Sequence, residues 1–172
     1  MDASELRNLQ APLKDQYRAA PESALITLKA RGDVDDAHIA CKVETGRAIA
    51  TAGLHPATGG SGMELCSGDM LLEALVACAG VTLKAVATAL EIPLRKATVS
   101  AEGDLDFRGT LGVAKDAPVG FRAIRLAFQV DSDAPQEKLD SLLKLTERYC
   151  VVFQTIQNSP KTDVRLNIRQ SA

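Results

Sequence analysis

An almost uninterrupted apolar stretch, Asp69 to Leu90, limits the folds open to this chain more than any other segment. Its polar residues are Asp69, Glu73, Thr82, Lys84 and Thr88. A helix of this length makes about six turns, and a helix that is apolar nearly all round is typically buried. Two charges inside the stretch, without an aromatic belt or a basic flank, argue against a membrane span. The stretch therefore predicts a buried core helix, which Pro93 ends.

The C-terminal half predicts two strands, a second core helix and a final strand. Val99 to Arg108 and Ile124 to Asp131 alternate apolar and polar residues, as half-buried strands do, and Gly109 to Phe121 predicts a hairpin loop between them. A helix is predicted from Pro135 to about Asn158. Its predicted inward stripe is Leu139, Leu142, Leu143, Thr146, Cys150 and Phe153. Val164 to Ile168 alternates again and predicts the last strand.

The N-terminal part predicts a helical arm and a small sheet. Apolar residues recur at helical spacing over residues 4–19, with Pro12 inside the run, so residues 1–23 are interpreted as a peripheral arm. Three short strands are predicted at Ala24 to Ala30, His38 to Val43 and Ala48 to Ala52, with turns at Gly32-Asp33 and Thr45-Gly46. Pro56 to Gly68 is glycine-rich and predicts a loop. The order of elements predicts an α+β fold with mainly antiparallel pairing, in which residues 24–172 form one domain.

Composition excludes several classes of partner. The 172 residues carry a net charge of -2 and only 3% aromatic residues, which does not suit a nucleic-acid-binding protein. The polar, acidic N-terminal residues show no secretory signal, so a cytoplasmic protein without a membrane partner is expected.

Metal, phosphate-loop and hydrolase sites are not expected. His38 and Cys41 would point to opposite faces of one strand, and His55 and Cys66 complete too small a ligand set for zinc. Gly59-Gly60-Ser61-Gly62 lacks the lysine of a Walker loop, and no G-x-S-x-G sequence occurs.

Cys78 and Cys150 are the remaining candidates for chemistry, one on each predicted core helix. Two readings are open. They are inert core residues, as buried cysteines usually are, or they are reactive thiols that approach each other between packed helices. Reactivity requires the thiolate, which a nearby cation favours, and Arg31 and Arg47 are the candidate cations.

Two segments resemble the OsmC/Ohr family, the osmotically inducible and organic hydroperoxide resistance proteins. Ser67-Gly68-Asp69-Met70-Leu71-Leu72-Glu73-Ala74-Leu75-Val76-Ala77-Cys78 resembles the family's first cysteine helix, P-x-E-L-L-L-A-A-L-x-A-C. Thr146-Glu147-Arg148-Tyr149-Cys150-Val151-Val152-Phe153-Gln154-Thr155-Ile156 resembles its second. The predicted order of elements fits the family over nearly all of residues 24–170.

The resemblance implies an intertwined homodimer, with two mainly antiparallel sheets around two central buried helices. It also implies a thiol-dependent peroxidase that needs no metal, haem or flavin. In that scheme Cys78 attacks the hydroperoxide, and Cys150 resolves the sulfenic acid to a disulfide. An external dithiol, carried by a lipoyl protein or a thioredoxin-like protein, then reduces the disulfide. The aliphatic residues expected around Cys78 (Leu71, Leu75 and Val81) favour an organic or lipid hydroperoxide.

The family also has an arginine that steadies the thiolate and an acidic residue that holds this arginine. Arg47, or alternatively Arg31, would supply the guanidinium, and Asp69 the carboxylate. Asp69 also has a structural explanation, because a carboxylate in the first turn of a helix interacts favourably with the helix dipole. Ser67 and Gly68 depart from the family's proline-containing turn. The alternative is therefore a binding or structural dimer that keeps the fold without peroxidase activity.

Overall fold

Helices and strands alternate along the chain in a computed structural model, which describes residues 2–20, 25, 27, 31–34, 40–44, 49–112 and 114–168. The described elements are α1 (Ala3–Ala19), β1 (Arg31–Val34), β2 (Ala40–Glu44), β3 (Ile49–Gly53), β4 (Leu65–Cys66), α2 (Ser67–Ala89), β5 (Lys96–Asp104), α3 (Phe107–Thr110), β6 (Ala123–Asp131), α4 (Gln136–Tyr149) and α5 (Val151–Gln157). A short 3-10 helix covers Pro56–Thr58. The fold is α+β, as the sequence predicts.

The N-terminal helix α1 begins at a capping box. The Glu5 backbone N–H donates to the Asp2 carboxylate at 2.8 Å, and the Asp2 N–H donates to the Glu5 carboxylate at 2.8 Å. These bonds satisfy two amides that a helix start leaves without partners. The helix runs through Pro12 to Ala19, which confirms the predicted helical segment.

The first sheet has the strand order β1-β2-β3-β4 among the described residues. β1, β2 and β3 form an antiparallel meander, and β3 pairs with β4 in parallel. β2 and β3 confirm the second and third predicted strands, whereas β1 at Arg31–Val34 was not predicted. The predicted turn at Gly32-Asp33 is wrong, because both residues pair with β2 inside β1. Ladder hydrogen bonds here outweigh local turn preference. The predicted turn at Thr45-Gly46 and, except for residues 25 and 27, the predicted strand Ala24 to Ala30 lie outside the described residues.

The predicted loop from Pro56 to Gly68 is only partly correct. Leu65–Cys66 form strand β4 at its end, and α2 already begins at Ser67. A two-residue strand is too short to give a period in the sequence.

Helix α2 buries one stripe and exposes the opposite face. Its buried residues lie four apart: Leu75, Ala79, Leu83 and Ala87. The expectation that the helix is buried all round is wrong for a single chain, since Val81 on the other side is exposed. By length and composition α2 could cross a bilayer, a test that core helices of soluble proteins also pass.

The second sheet, β5 with β6, packs against the buried stripe of α2. The two strands pair antiparallel from Lys96 with Asp131 to Asp104 with Ala123. The prediction that the first of these strands reaches Arg108 is wrong, because α3 begins at Phe107. The side chain of Asp106 accepts the backbone N–H of Arg108 at 3.1 Å, which starts a helical turn instead.

The second predicted helix is present but interrupted. It begins at Gln136 and breaks at Cys150, after which α5 continues to Gln157. Leu142 is 2% exposed in the core, whereas Leu143, also predicted to face inward, is 43% exposed. The helical period therefore identifies the stripe and misplaces one residue at its edge.

The predicted final strand, Val164 to Ile168, is wrong for the single chain. Residues 159–168 form no regular structure, and Val164, Leu166 and Ile168 are largely exposed. A strand requires a neighbour for its backbone N–H and C=O groups, and no described segment pairs with these residues.

Candidate active site

Cys78 and Cys150 meet between α2 and the junction of α4 with α5. Cys78 is half-buried and packs against a cluster of Leu75, Ala79 and Cys150. Cys150 is 1% exposed. Both are free thiols, and they pack against each other in this cluster.

The helix break at Cys150 brings new hydrogen-bond donors to this contact. Cys150 has φ -73° and ψ 104°, an extended conformation, and it caps the N-terminus of α5. Its carbonyl accepts the backbone N–H of Gln154 at 2.9 Å. The first amides of a helix have no partner within the helix, so those of Val151 and Val152 are available to a neighbouring group.

Local sequence accounts for the break. The Thr146 hydroxyl donates to the Leu142 carbonyl at 2.8 Å, a bond that often bends helices. Two β-branched residues, Val151 and Val152, follow Cys150 and have reduced helix propensity. In an unbroken helix the carbonyl of Glu147 would accept the N–H of Val151. Here the side-chain amide of Gln154 donates to that carbonyl at 2.8 Å.

These donors act on the sulfur of Cys78. Burial alone would raise the pKa of the Cys78 thiol. Hydrogen bonds from the backbone N–H of Val152, the thiol of Cys150 and the backbone N–H of Val151 outweigh it, so the pKa lies below the ordinary thiol value. Each bond is made to the ionised form and therefore favours the thiolate. The Thr82 hydroxyl donates to the backbone carbonyl of Cys78 at 2.8 Å.

Cys150 shows the opposite shift. Burial raises the pKa of its thiol, and backbone hydrogen bonds from Phe153 and Val152 offset this only in part. The hydrogen bond to Cys78 and the charge of the Cys78 thiolate raise it further. Cys78 is therefore the more acidic thiol of the pair, and Cys150 stays protonated beside it.

Of the other predicted site residues, Asp69 is the one whose side chain the structure describes, and it lies away from the thiol pair. Arg47 lies outside the described residues, and Arg31 is described only as backbone in β1. Asp69 is exposed in the first turn of α2. It lines a cavity with Cys66 and His55, about 13 Å along the helix from Cys78.

The three residues predicted to surround Cys78 lie in different environments. Leu75 packs in the thiol cluster, Leu71 lines the neighbouring cavity, and Val81 is exposed. The amides of Val151 and Val152 were not predicted, because backbone amides leave no signal in the pattern of side chains.

The cavity that contains Asp69 has no metal-binding set. His55 stacks on Phe107 with ring centroids 4.8 Å apart, and its Nδ1 accepts the backbone N–H of Ala57 at 3.0 Å. Within the described ranges, no three His, Cys, Asp or Glu residues are grouped to hold an ion. His38 lies outside those ranges, and the side chain of Cys41 is not among the described ones.

Comparisons with known proteins agree on one family. Residues 59–165 match the family model described as OsmC-like protein. No curated protein matches the sequence. The fold is similar to an OsmC-like protein from Mycoplasma pneumoniae, with a TM-score of 0.64, 16% identity, and coverage of 78% of this chain and 89% of that one.

Two similar structures carry functional names. The organic hydroperoxide resistance protein OsmC of Legionella pneumophila has a TM-score of 0.60 and 16% identity, with coverage of 78% and 91% of the two chains. The organic hydroperoxide resistance protein of Elizabethkingia anophelis, solved with thiocyanate bound, has a TM-score of 0.62 and 15% identity, with the same coverage. At these identities the likeness concerns the fold.

Proposed function

Because this chain belongs to the OsmC-like protein family, we propose that it is a thiol-dependent peroxidase that reduces organic hydroperoxides in defence against oxidative stress. The observation that carries the proposal is the packing of Cys78 against Cys150 at the N-terminus of α5, whose first amides lower the pKa of the Cys78 thiol. The hydroperoxide resistance proteins of similar fold support the substrate class. A cytoplasmic location belongs to the same proposal.

The first step uses the Cys78 thiolate as the nucleophile. It attacks the distal oxygen of the hydroperoxide, the O–O bond breaks, and the alkoxide takes a proton and leaves as an alcohol. Cys78 becomes a sulfenic acid. The lowered pKa of Cys78 increases the fraction of the thiol that is present as the nucleophilic thiolate.

The second step uses Cys150 as the resolving thiol. Its sulfur attacks the Cys78 sulfenic acid, an S–S bond forms, and water leaves. Cys150 is already in contact with Cys78, so little movement is required. An external dithiol of the lipoyl or thioredoxin-like type reduces the disulfide and closes the cycle.

Thiol titration tests this scheme directly. One equivalent of cumene hydroperoxide is expected to remove two thiols per chain, and peptide mapping without reductant is expected to find Cys78 joined to Cys150. Cys66, which the structure places in another cavity, should stay free and serves as the internal control. Loss of no thiol would instead favour a binding or structural dimer without peroxidase activity. The position of Asp69 away from the thiol pair is the observation that favours this alternative.

The guanidinium of Arg47 or Arg31, held by Asp69, remains part of the proposal. A cation near Cys78 would lower its pKa further by favouring the thiolate. The neutral donors described above provide a second route to the same effect, so the thiolate does not depend on the arginine alone.

An intertwined homodimer completes the proposal. The exposed face of α2 and the apolar segment Val164 to Ile168 leave more apolar surface open than one chain can cover. A second copy would bury the helix face and offer that segment a strand to pair with. We expect the purified chain to sediment as a dimer of the 18.2 kDa protomer at micromolar concentration. A monomer in sedimentation equilibrium would contradict this assembly.

A further inference from the structure

The joint between α4 and α5 interrupts the backbone hydrogen bonds of the two helices. Cys150 lies at the joint with φ -73° and ψ 104°, outside the helical range. Among the described residues, the N–H groups of residues 151–153 make no hydrogen bond to the carbonyls of residues 147–149. A continuous helix would regain these bonds, so the interruption requires interactions that hold it open.

Gln154 binds the carbonyl that the interruption frees at Glu147. Its side-chain amide donates to the Glu147 carbonyl at 2.8 Å. The two residues are seven positions apart, which is about 10 Å of rise in a continuous helix. In that helix the N–H of Val151 would occupy the same carbonyl. The Gln154 bond therefore belongs to the interrupted geometry and stabilises it, because a bond made in one state alone shifts the equilibrium towards that state.

Asn158 orients the side chain of Gln154. The Asn158 side-chain N–H donates to Gln154 Oε1 at 3.2 Å and to the Gln154 backbone carbonyl at 3.3 Å. A primary amide carries its acceptor oxygen and its NH2 group on opposite sides. With the oxygen bound by Asn158, the NH2 group of Gln154 is directed at Glu147. Gln154 is half-buried and has a partner at each end of its amide.

The thiol pair depends on the interrupted geometry. Cys150, 1% exposed, packs against Cys78 at the N-terminus of α5, whose first amides lower the pKa of the Cys78 thiol. Within the described part of the chain, Cys150 is the titratable group whose interaction shifts that pKa. The hydrophobic side chains around the pair come from α2, β5, β6 and α5. Return of the Val151 amide to Glu147 would remove one of the donors from Cys78.

We propose that Gln154 is a positioning residue for Cys78. By occupying the Glu147 carbonyl it keeps the joint between α4 and α5 open, so that the Val151 amide stays directed at the Cys78 sulfur. Gln154 acts through the backbone and takes no part in the bonds that form and break. Its role in turnover rests on the proposed peroxidase function, whereas its effect on the thiol does not.

The test replaces Gln154 with leucine, which is similar in size and has no donor. The readout is the rate at which iodoacetamide alkylates Cys78 as a function of pH, followed by mass spectrometry of the Cys78 peptide. Gln154→Leu is expected to slow alkylation at neutral pH roughly two- to tenfold, the effect of one neutral hydrogen bond on the equilibrium at the joint. The profile should move to higher pH, and the rate should recover in alkaline solution.

The melting temperature separates positioning from a purely structural role. In Gln154→Leu it is expected not to fall, because the Val151 amide regains the Glu147 carbonyl. A purely structural role predicts the reverse, a lower melting temperature with an unchanged alkylation profile.

The matched control is Gln136→Leu on α4. The Gln136 amide also donates at 2.8 Å, to the carboxylate of Asp140 one turn away, at the opposite end of the helix from Cys150. Its loss should leave the alkylation profile of Cys78 at that of the parent. A shift as large as that of Gln154→Leu would show that the effect is not specific to the joint, and would overturn the proposal.

A second comparison identifies the donor through which Gln154 acts. A chain that already carries Val151→Pro has no amide at this position to return to Glu147. In that background Gln154→Leu should change the Cys78 alkylation rate less than about 1.5-fold. A fall as large as in the parent background would show that Gln154 acts by another route, and would overturn the proposal.

The outcomes for Gln154 and for the peroxidase are distinguishable. A Gln154→Leu profile that coincides with the parent profile would overturn the role of Gln154 and leave the peroxidase intact. If the parent chain consumes no cumene hydroperoxide, the proposed function fails, and the alkylation profiles still decide on Gln154.

Discussion

Cys78→Ser is expected to reduce hydroperoxide turnover to the uncatalysed rate. A serine hydroxyl in the same position stays protonated at neutral pH, so the hydrogen bonds from Val151, Val152 and Cys150 have no anion to stabilise. Consumption of cumene hydroperoxide in the presence of excess dithiothreitol measures the effect. The serine side chain is close to cysteine in size, so the cluster around Leu75 should remain packed.

Two variants show whether the loss belongs to Cys78. Cys66→Ser removes a half-buried thiol from the other cavity and should retain full turnover. Cys150→Ser should still form one sulfenic acid per chain, detectable by dimedone labelling, but should form no internal disulfide. Turnover in Cys78→Ser as fast as in the parent would end the peroxidase assignment.

Val151→Pro is expected to slow the reaction of Cys78 with hydroperoxide roughly 10- to 100-fold at neutral pH, the range expected for one hydrogen bond to a charged group. Proline removes a backbone N–H that bonds to the Cys78 sulfur. The position tolerates it well. Val151 is the first residue of α5 and its side chain is 70% exposed, while Cys150 already has the extended conformation that precedes proline.

The pH dependence separates this effect from a loss of structure. Losing a bond to the thiolate raises the pKa of Cys78, so the reaction profile should move to higher pH and the rate should recover in alkaline solution. In the parent, the midpoint of the rate profile should lie below the ordinary thiol pKa. Val151→Ala keeps the N–H and is the matched control. A Val151→Pro profile that coincides with that of Val151→Ala would show that this amide does not act on the sulfur.

The regular core elements could be predicted from the sequence because their periods are long. The central helix, predicted from Asp69 to Leu90, is found at Ser67–Ala89, and the two alternating segments pair as β5 and β6. A run of six helical turns or eight alternating residues outweighs any single exception. The predictions fail where a short pattern is outweighed, by strand pairing at Gly32-Asp33 and by the Asp106 cap at Phe107.

The burial of α2 and the final strand could not be predicted for one chain. Periodicity indicates which face of a segment is apolar, but it does not say whether the same chain or another copy covers that face. The exposed Val81 and the unpaired Val164 to Ile168 show this limit. Both segments have the expected pattern, but within the described residues Val81 stays largely exposed beside α1 and Val164 to Ile168 pairs with no strand.

The two cysteines of the candidate site could be predicted from the sequence, but the hydrogen-bond donors around them could not. Cys78 and Cys150 could be identified as the cysteines of the two predicted core helices, and the structure brings them together. The amides of Val151 and Val152 belong to the backbone, which every residue carries, so no side-chain pattern distinguishes them. These amides can be identified as donors only once the helix break at Cys150 is known.

The interruption at Cys150 also sets a limit on how this protein can be made more robust. A continuous helix from residue 136 to residue 157 would regain the bond between the Val151 amide and the Glu147 carbonyl. That repair would withdraw the same amide from Cys78. Substitutions that favour a continuous helix at this joint should therefore raise the melting temperature and lower the reactivity of the Cys78 thiol. Thermal stability and reactivity thus depend on the same hydrogen-bond donor, the Val151 amide.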